Sequence, residues 1–217
     1  MTEPLVIAVD GPAGAGKSAV GWRVAERLGL AFVDSGLFYR AVAWLAHEEG
    51  VASDAVPRLV AIASRPDLQV EAGRIYAGDR DLTDDVHRPE INDNLSAVSQ
   101  VPEVRDAINE RQRRLAAGSG VVMAGRDIGT VVFPDAQHKF FLTASLAERV
   151  RRRLAQKARR GERADAAEME REIAARDVAD STRLVAPLRP APDAVIIDTD
   201  GLDVDEVVEG IVERVQR

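Results

Sequence analysis

The chain has 217 residues, a hydrophobic fraction of 46% and a net charge of −7, which suits one α/β domain with appendages and argues against non-specific binding to nucleic acid. It contains no cysteine, which excludes disulfides, thiolate catalysis and cysteine-based zinc sites, and its three histidines, His47, His87 and His138, are too scattered for a metal cluster. The first apolar run is short and ends at Asp10, and no stretch approaches the length of a membrane span, so a cytoplasmic protein is expected.

The run at residues 5–9 reads as a buried strand and leads into Gly11-Pro12-Ala13-Gly14-Ala15-Gly16-Lys17-Ser18, which fits G-x-x-x-x-G-K-[ST]. Val20, Val24, Ala25 and Leu28 then recur at helical spacing. Strand, glycine-rich turn and helix form the context that makes this pattern a phosphate cradle. Small residues let successive backbone N–H groups converge on phosphate oxygens, and the helix N-terminus adds partial positive charge. Lys17 supplies a cation to the β- and γ-phosphates, and the Ser18 hydroxyl is a ligand for Mg²⁺. Binding of a nucleoside triphosphate follows.

Further apolar runs at 30–33, 120–124, 139–142 and 194–198 lie beside helical patterns, which predicts a parallel sheet covered on both faces. Ligands of such sheets sit beyond the carboxyl ends of the strands. Chemistry is therefore expected at the glycine-rich loop, at Asp34-Ser35-Gly36, at Gly125-Arg126-Asp127 and at Thr143-Ala144-Ser145. Alternation between residues 68 and 82, around Ala72-Gly73, predicts a small hairpin. Residues 149–176 carry dense charge of both signs, including Arg151-Arg152-Arg153 and Arg159-Arg160-Gly161, with almost no large apolar residue after Leu154. Such a run is ordinarily a solvated helix pair; behind a phosphate cradle it reads equally as an arginine-rich lid.

Several collinear motifs together resemble the bacterial cytidylate kinases (CMP/dCMP kinases), which are nucleoside monophosphate kinases. They are Val9-Asp10 with the glycine-rich loop, Asp34-Ser35-Gly36 with Tyr39-Arg40, and the segment from Gly125-Arg126-Asp127 to Pro134-Asp135-Ala136. Arg176-Asp177, Asp180-Ser181-Thr182-Arg183, Ala186-Pro187-Leu188 and Ile197-Asp198-Thr199 complete the set. The resemblance covers essentially the whole chain. It implies a three-layer α/β/α P-loop fold with a central parallel sheet, a monophosphate-binding insert and an arginine-rich helical lid. As a single domain this would comprise a core at about 1–38, 115–148 and 185–217, an acceptor region at about 39–114, and a lid and closing segment at about 149–184. The activity implied is transfer of the γ-phosphoryl group of ATP to CMP or dCMP, with Mg²⁺.

The resemblance also implies roles. Arg152 or Arg153 would close over the donor, three adjacent arginines being indistinguishable by pattern. Arg40 and Arg126 would clamp the monophosphate through bidentate forks, and Arg176 and Arg183 would join the phosphates on closure. Lys17, Arg126 and Arg183 are the expected catalytic set. Ser35, Gly36 and Tyr39 would line the nucleotide pocket, and Asp180 would meet the sugar hydroxyl. Ser96, Arg105 and Asp127 would surround the cytosine edge, where a carboxylate accepts from the N4 amino group and an arginine donates to N3 and O2. The segment 177–180 is less charged than is usual in the family, which touches auxiliary contacts only.

Other P-loop classes fit less well. A GTP-hydrolysing switch needs an Asn/Thr-Lys-x-Asp tetrad, which does not occur, and Asp198-Thr199-Asp200-Gly201 comes too late to serve as its Asp-x-x-Gly. A kinase of UMP, or of a shikimate- or gluconate-type metabolite, is the alternative; the metabolite kinases give no reason for the hairpin or for residues 180–183. A non-catalytic ATP-binding module would not need so many arginines. Small nucleotides are the expected partners, with no nucleic-acid polymer and no membrane, and the interspersed acidic surface suits a monomer.

Overall fold

In the computed structural model, which describes residues 4–71, 73–118 and 120–217, strand alternation sorts side chains onto two buried faces. Every residue of β1 (Val6–Asp10) and β6 (Val121–Gly125) is buried. Val6, Ala8, Val121 and Met123 join one apolar cluster with Phe38, Leu59, Ile75 and Ile108. Ile7, Val9, Val122 and Ala124 join the other with Val20, Val24, Phe140 and Ile211. With β2 (Ala31–Asp34), β7 (His138–Thr143) and β8 (Val195–Asp198) these strands form a parallel sheet of order β2-β6-β1-β7-β8.

Helices α1 (Lys17–Leu28) and α8 (Val204–Val215) cover the second face. Helix α2 (Gly36–Glu48) and the segment that follows it cover the first. This is the expected three-layer architecture, with each predicted strand present within a residue or so of its expected ends. The register sets Asp10 opposite Gly125 and Asp34 opposite Ala124. The segments that follow these strands therefore emerge at one end of the sheet, where the chemistry is concentrated.

After α3 (Val56–Ala63), β3 (Leu68–Glu71) pairs antiparallel with β4 (Arg74–Ala77), and β5 (Arg80–Asp81) adds a third strand to the predicted hairpin. Of the expected tip, Gly73 takes φ 75°, while Ala72 lies outside the described residues. Leu68, Ile75 and Leu82 are fully buried, so the small sheet is fastened to the first cluster rather than hanging free. Helices α4 (Asn92–Val98) and α5 (Pro102–Ala116) return the chain to β6.

The charged stretch forms α6 (Leu146–Arg159) and α7 (Ala166–Thr182). It is not a merely solvated pair. Val150, Met169 and Ile173 bury against one another, with Leu146 and Leu154 at the margin. A few apolar residues suffice because only one narrow stripe of each helix faces the other.

Candidate active site

The glycine-rich loop is built from backbone freedom. Gly11 has φ 147°, and a Cβ there would lie 2.1 Å from the Leu142 carbonyl oxygen, so only glycine lets the loop pass the end of β7. Helix α1 begins at Gly16, in the left-handed region, without a side-chain cap. Ser145, Asp165 and Asp203 cap α6, α7 and α8, whereas α1, like α2 to α5, has no side-chain cap. What α1 adds is that its first N–H groups open on the glycine-rich loop, an arrangement suited to an anion.

Lys17 is buried, its Nζ donating to the Pro12 carbonyl at 2.7 Å. Burial, and then the neighbouring Arg126, hold its ammonium well below the ordinary lysine value. Ser18 Oγ donates to Asp34 Oδ2 at 2.5 Å, and Asp34 Oδ1 accepts from the Gly36 N–H at 2.9 Å. Behind the loop, Asp10 accepts from the N–H groups of Ile128 at 2.9 Å and Gly129 at 2.7 Å. Burial outweighs these bonds and raises its carboxyl to about 6.

Opposite the loop, Ser35 is buried and its N–H bonds the Ala124 carbonyl at 2.9 Å, which sets the start of α2 and hence Tyr39 and Arg40. Arg40 Nη1 donates to the Val86 carbonyl at 3.1 Å. Burial, followed by Arg176 and Arg153, lowers its guanidinium to about 10. Arg126 Nε donates to Asp180 Oδ2 at 2.8 Å, and Arg176 Nε lies 3.9 Å from the same oxygen. Arg176 is likewise lowered, by burial and then by Arg126. Asp180 is held below its usual value by Arg126, despite burial acting the other way. Cations from the loop, α2, the end of β6 and α7 thus stand close enough to lower one another, offset in part by Asp34 and Asp180. Such a cluster suits an anion.

A second group lies beside it. Arg105 and Asp127 form a buried ion pair, and the Arg105 guanidinium stands 5.3 Å over the Tyr39 ring. Arg183 Nη2 is 3.5 Å from the other Asp127 oxygen, and its Nε donates to the Ala186 carbonyl at 2.6 Å. Ala186 is at φ 51°, a left-handed conformation that turns this carbonyl toward Arg183. Arg183 therefore sits with Arg105 and Asp127, while Arg176 stays with Arg126 and Asp180. Ser96 is exposed on α4, and no hydrogen bond joins its hydroxyl to Arg105 or Asp127. Arg105 Nη1 instead donates to the Ser99 carbonyl, at 3.0 Å.

On α6 the adjacent arginines separate. Arg152 donates to Thr199 Oγ1 at 2.9 Å and to Glu148 at 2.7 Å, and it lies 3.9 Å from where a Cβ on Gly16 would stand. Arg153 is exposed, bonds Gln156 at 2.7 Å, and bears electrostatically on Arg40 and Arg176. Two residues without an assigned role in the sequence reading stand out. Asp34 reaches Ser18; its position at a strand end was the available signal. Arg149 is buried against the Ala13 carbonyl at 3.2 Å, and nothing in the pattern separates it from its neighbours.

A profile of the cytidylate kinase family matches residues 7–217. A cytidylate kinase from Desulforamulus reducens is 44% identical over 220 residues, covering 100% of this chain and 99% of that protein. Another, from Caldanaerobacter subterraneus subsp. tengcongensis, is 43% identical over 211 residues, covering 97% and 94%. Among solved structures a gluconokinase from Sinorhizobium meliloti 1021 aligns with a TM-score of 0.50 at 19% identity, covering 100% of this chain and 94% of that one; this likeness speaks to the P-loop kinase fold alone. The motifs, their order and the near-complete coverage agree, and the chain belongs to the cytidylate kinase family.

Proposed function

We propose that the protein transfers the γ-phosphoryl group of ATP to CMP or dCMP, giving ADP and CDP or dCDP. The observation that carries this reading is the crowd of cations Lys17, Arg40, Arg126 and Arg176 at the strand ends, with the buried Arg105–Asp127 pair beside it. The first suits two phosphate chains and the second suits a base edge.

A nucleotide phosphate is already nucleophilic at neutral pH, so catalysis consists of positioning and charge neutralisation, with no general base. On the donor side the amides of residues 11–18 and Lys17 hold the triphosphate, and Arg152 covers it. Ser18 and Asp34 present hard oxygen atoms side by side, and among the described residues no group of three or more His, Cys, Asp or Glu forms a metal cage. That set fits Mg²⁺, which is held by one or two protein oxygens plus substrate phosphates. When bound, the ion would neutralise phosphate charge. On the acceptor side Arg40, Arg126 and Arg176 clamp the monophosphate, while Ser35, Gly36 and Tyr39 line the pocket and Asp180 meets the sugar. Asp127 accepts from the cytosine amino group, Arg105 donates to the ring acceptors, and Arg183 steadies Asp127. Ser96 has no part in this set.

In this reading residues 39–114 form the acceptor region and residues 149–184 close over a core of 1–38, 115–148 and 185–217. The protein acts as a monomer on small nucleotides. Among the described residues no helix is long and apolar enough to cross a membrane.

The test is kcat/KM for CMP, dCMP, UMP, AMP and GMP at fixed Mg-ATP. Uracil presents an acceptor to Asp127, so CMP and dCMP should exceed UMP by about 10- to 100-fold, with purines poor. Asp127→Asn should narrow the CMP/UMP ratio while lowering activity overall. Equal use of CMP and UMP by the unaltered protein would refute the base-reading assignment.

A further inference from the structure

We infer that Arg149 is a positioning residue that ties the triphosphate loop to the helix carrying Arg176 and Asp180, so that the two nucleotides bind cooperatively. The inference rests on the assignment of donor and acceptor sides above. Arg149 lies in the first turn of α6 and uses each guanidinium nitrogen on a different element. Nε donates to the Ala144 carbonyl, just past β7, at 3.1 Å. Nη1 donates to the Ala13 carbonyl of the loop at 3.2 Å. Nη2 pairs with Asp177 Oδ2 of α7 at 2.7 Å.

The contact with the loop is close in the hydrocarbon as well. A Cβ on Gly14 would lie 3.1 Å from the Arg149 Cβ, so the side chain is seated against the loop backbone. The Arg149 side chain is 7% exposed, which removes the competition of water for these bonds. Asp177 Oδ1 is buried and has no hydrogen-bond partner among the described residues, so Arg149 is the group that fixes this carboxylate.

Asp177 follows Arg176 directly and precedes Asp180 by less than one helical turn. A helix is rigid over that distance. Val150, Met169 and Ile173 also clamp α6 to α7. An adjustment of the loop on taking up a triphosphate therefore has a direct route to Arg176 and Asp180 through this guanidinium, and an adjustment of α7 on taking up a monophosphate returns by the same route. Arginine is required because its planar fork addresses three bodies at once, whereas a lysine ammonium is a single point.

The experiment measures CMP binding at equilibrium to the full chain, with and without a non-hydrolysable ATP analogue and Mg²⁺, for the wild type, Asp177→Ala and Arg149→Lys. In the wild type the analogue should tighten CMP binding about fivefold or more. In Asp177→Ala, CMP and the analogue should each bind alone within about twofold of wild type, while the mutual enhancement disappears. Arg149→Lys should lose it too, and if that variant does not fold, Asp177→Ala decides. A folded variant with a lowered melting temperature but wild-type enhancement would mean a purely structural tie and would overturn the inference. So would a wild type with no enhancement. Failure of the wild type to bind CMP at all would instead overturn the acceptor assignment, and the inference with it.

Discussion

On the assignment proposed above, the donor and acceptor sides of this site are made in opposite ways. The donor cradle is one contiguous loop, shaped by backbone torsions at Gly11, Gly14 and Gly16 and opening on an uncapped helix. Its specificity is for phosphate, and the ligands it offers are mainly main-chain N–H groups. The acceptor side is assembled from side chains far apart in the chain: Arg40, Arg105, Arg126, Asp127, Arg176, Asp180 and Arg183. Most of these are aligned by ion pairs with one another, as in Arg105–Asp127, Arg126–Asp180 and Arg183–Asp127, while Arg40 is held by the Val86 carbonyl. A phosphate can be held by peptide groups that any sequence possesses. A base edge needs donors and acceptors in a chosen order, and only side chains supply that.

The largest effect should come from Lys17 in the donor cradle. Lys17→Ala should leave the fold intact and lower turnover by roughly 10²–10⁴, equivalent to about 3–5 kcal/mol of transition-state stabilisation. Steady-state rates at saturating nucleotides, with circular dichroism for the fold, check this; near-normal turnover would mean that the backbone cradle suffices alone.

On the acceptor side two arginines should separate by function. Arg126→Ala removes a phosphate contact and should lower kcat/KM for CMP and UMP together, by about 10²–10³. Arg183→Ala, which withdraws support from Asp127, should narrow the CMP/UMP ratio as well. If both variants shift the ratio equally, the division into phosphate-holding and base-reading groups is wrong.

The smallest effect concerns Asp10, which holds the turn after β6 against the loop. Its folded pKa, about 6, lies above the ordinary 3.8, so the native state binds the extra proton between these values. The stability this group contributes is full below about pH 4 and is lost as the pH rises through about 6. Asp10→Asn removes that slope. Denaturant unfolding across this range should show the variant gaining on the wild type by roughly 1–3 kcal/mol with rising pH, and a constant difference above it. A constant difference throughout would show that the two N–H bonds fully offset burial.

What the sequence determined by itself was whatever is local or periodic. The glycine-rich loop is a contiguous pattern whose meaning lies in backbone torsions, and the strands announced themselves as short apolar runs. Arg40, Arg126, Asp127 and Asp180 are singled out by the sequence because they follow strand ends or stand in collinear motifs. What only the tertiary structure decided depends on strand order and helix rotation. Asp34 meets Ser18 although β6 lies between β2 and β1 in the sheet, an order that no local pattern encodes. Arg152 reaches Thr199 and the loop while Arg153 lies nearer Arg40 and Arg176, because neighbours on a helix point about 100° apart and packing sets which one meets the loop. The charged stretch reads as nearly without large apolar residues after Leu154, and Met169 and Ile173 make a small core only because Val150 lies opposite them. Arg149 is one charge among many in the sequence, and it became distinct only when folding buried it where strand, loop and helix meet.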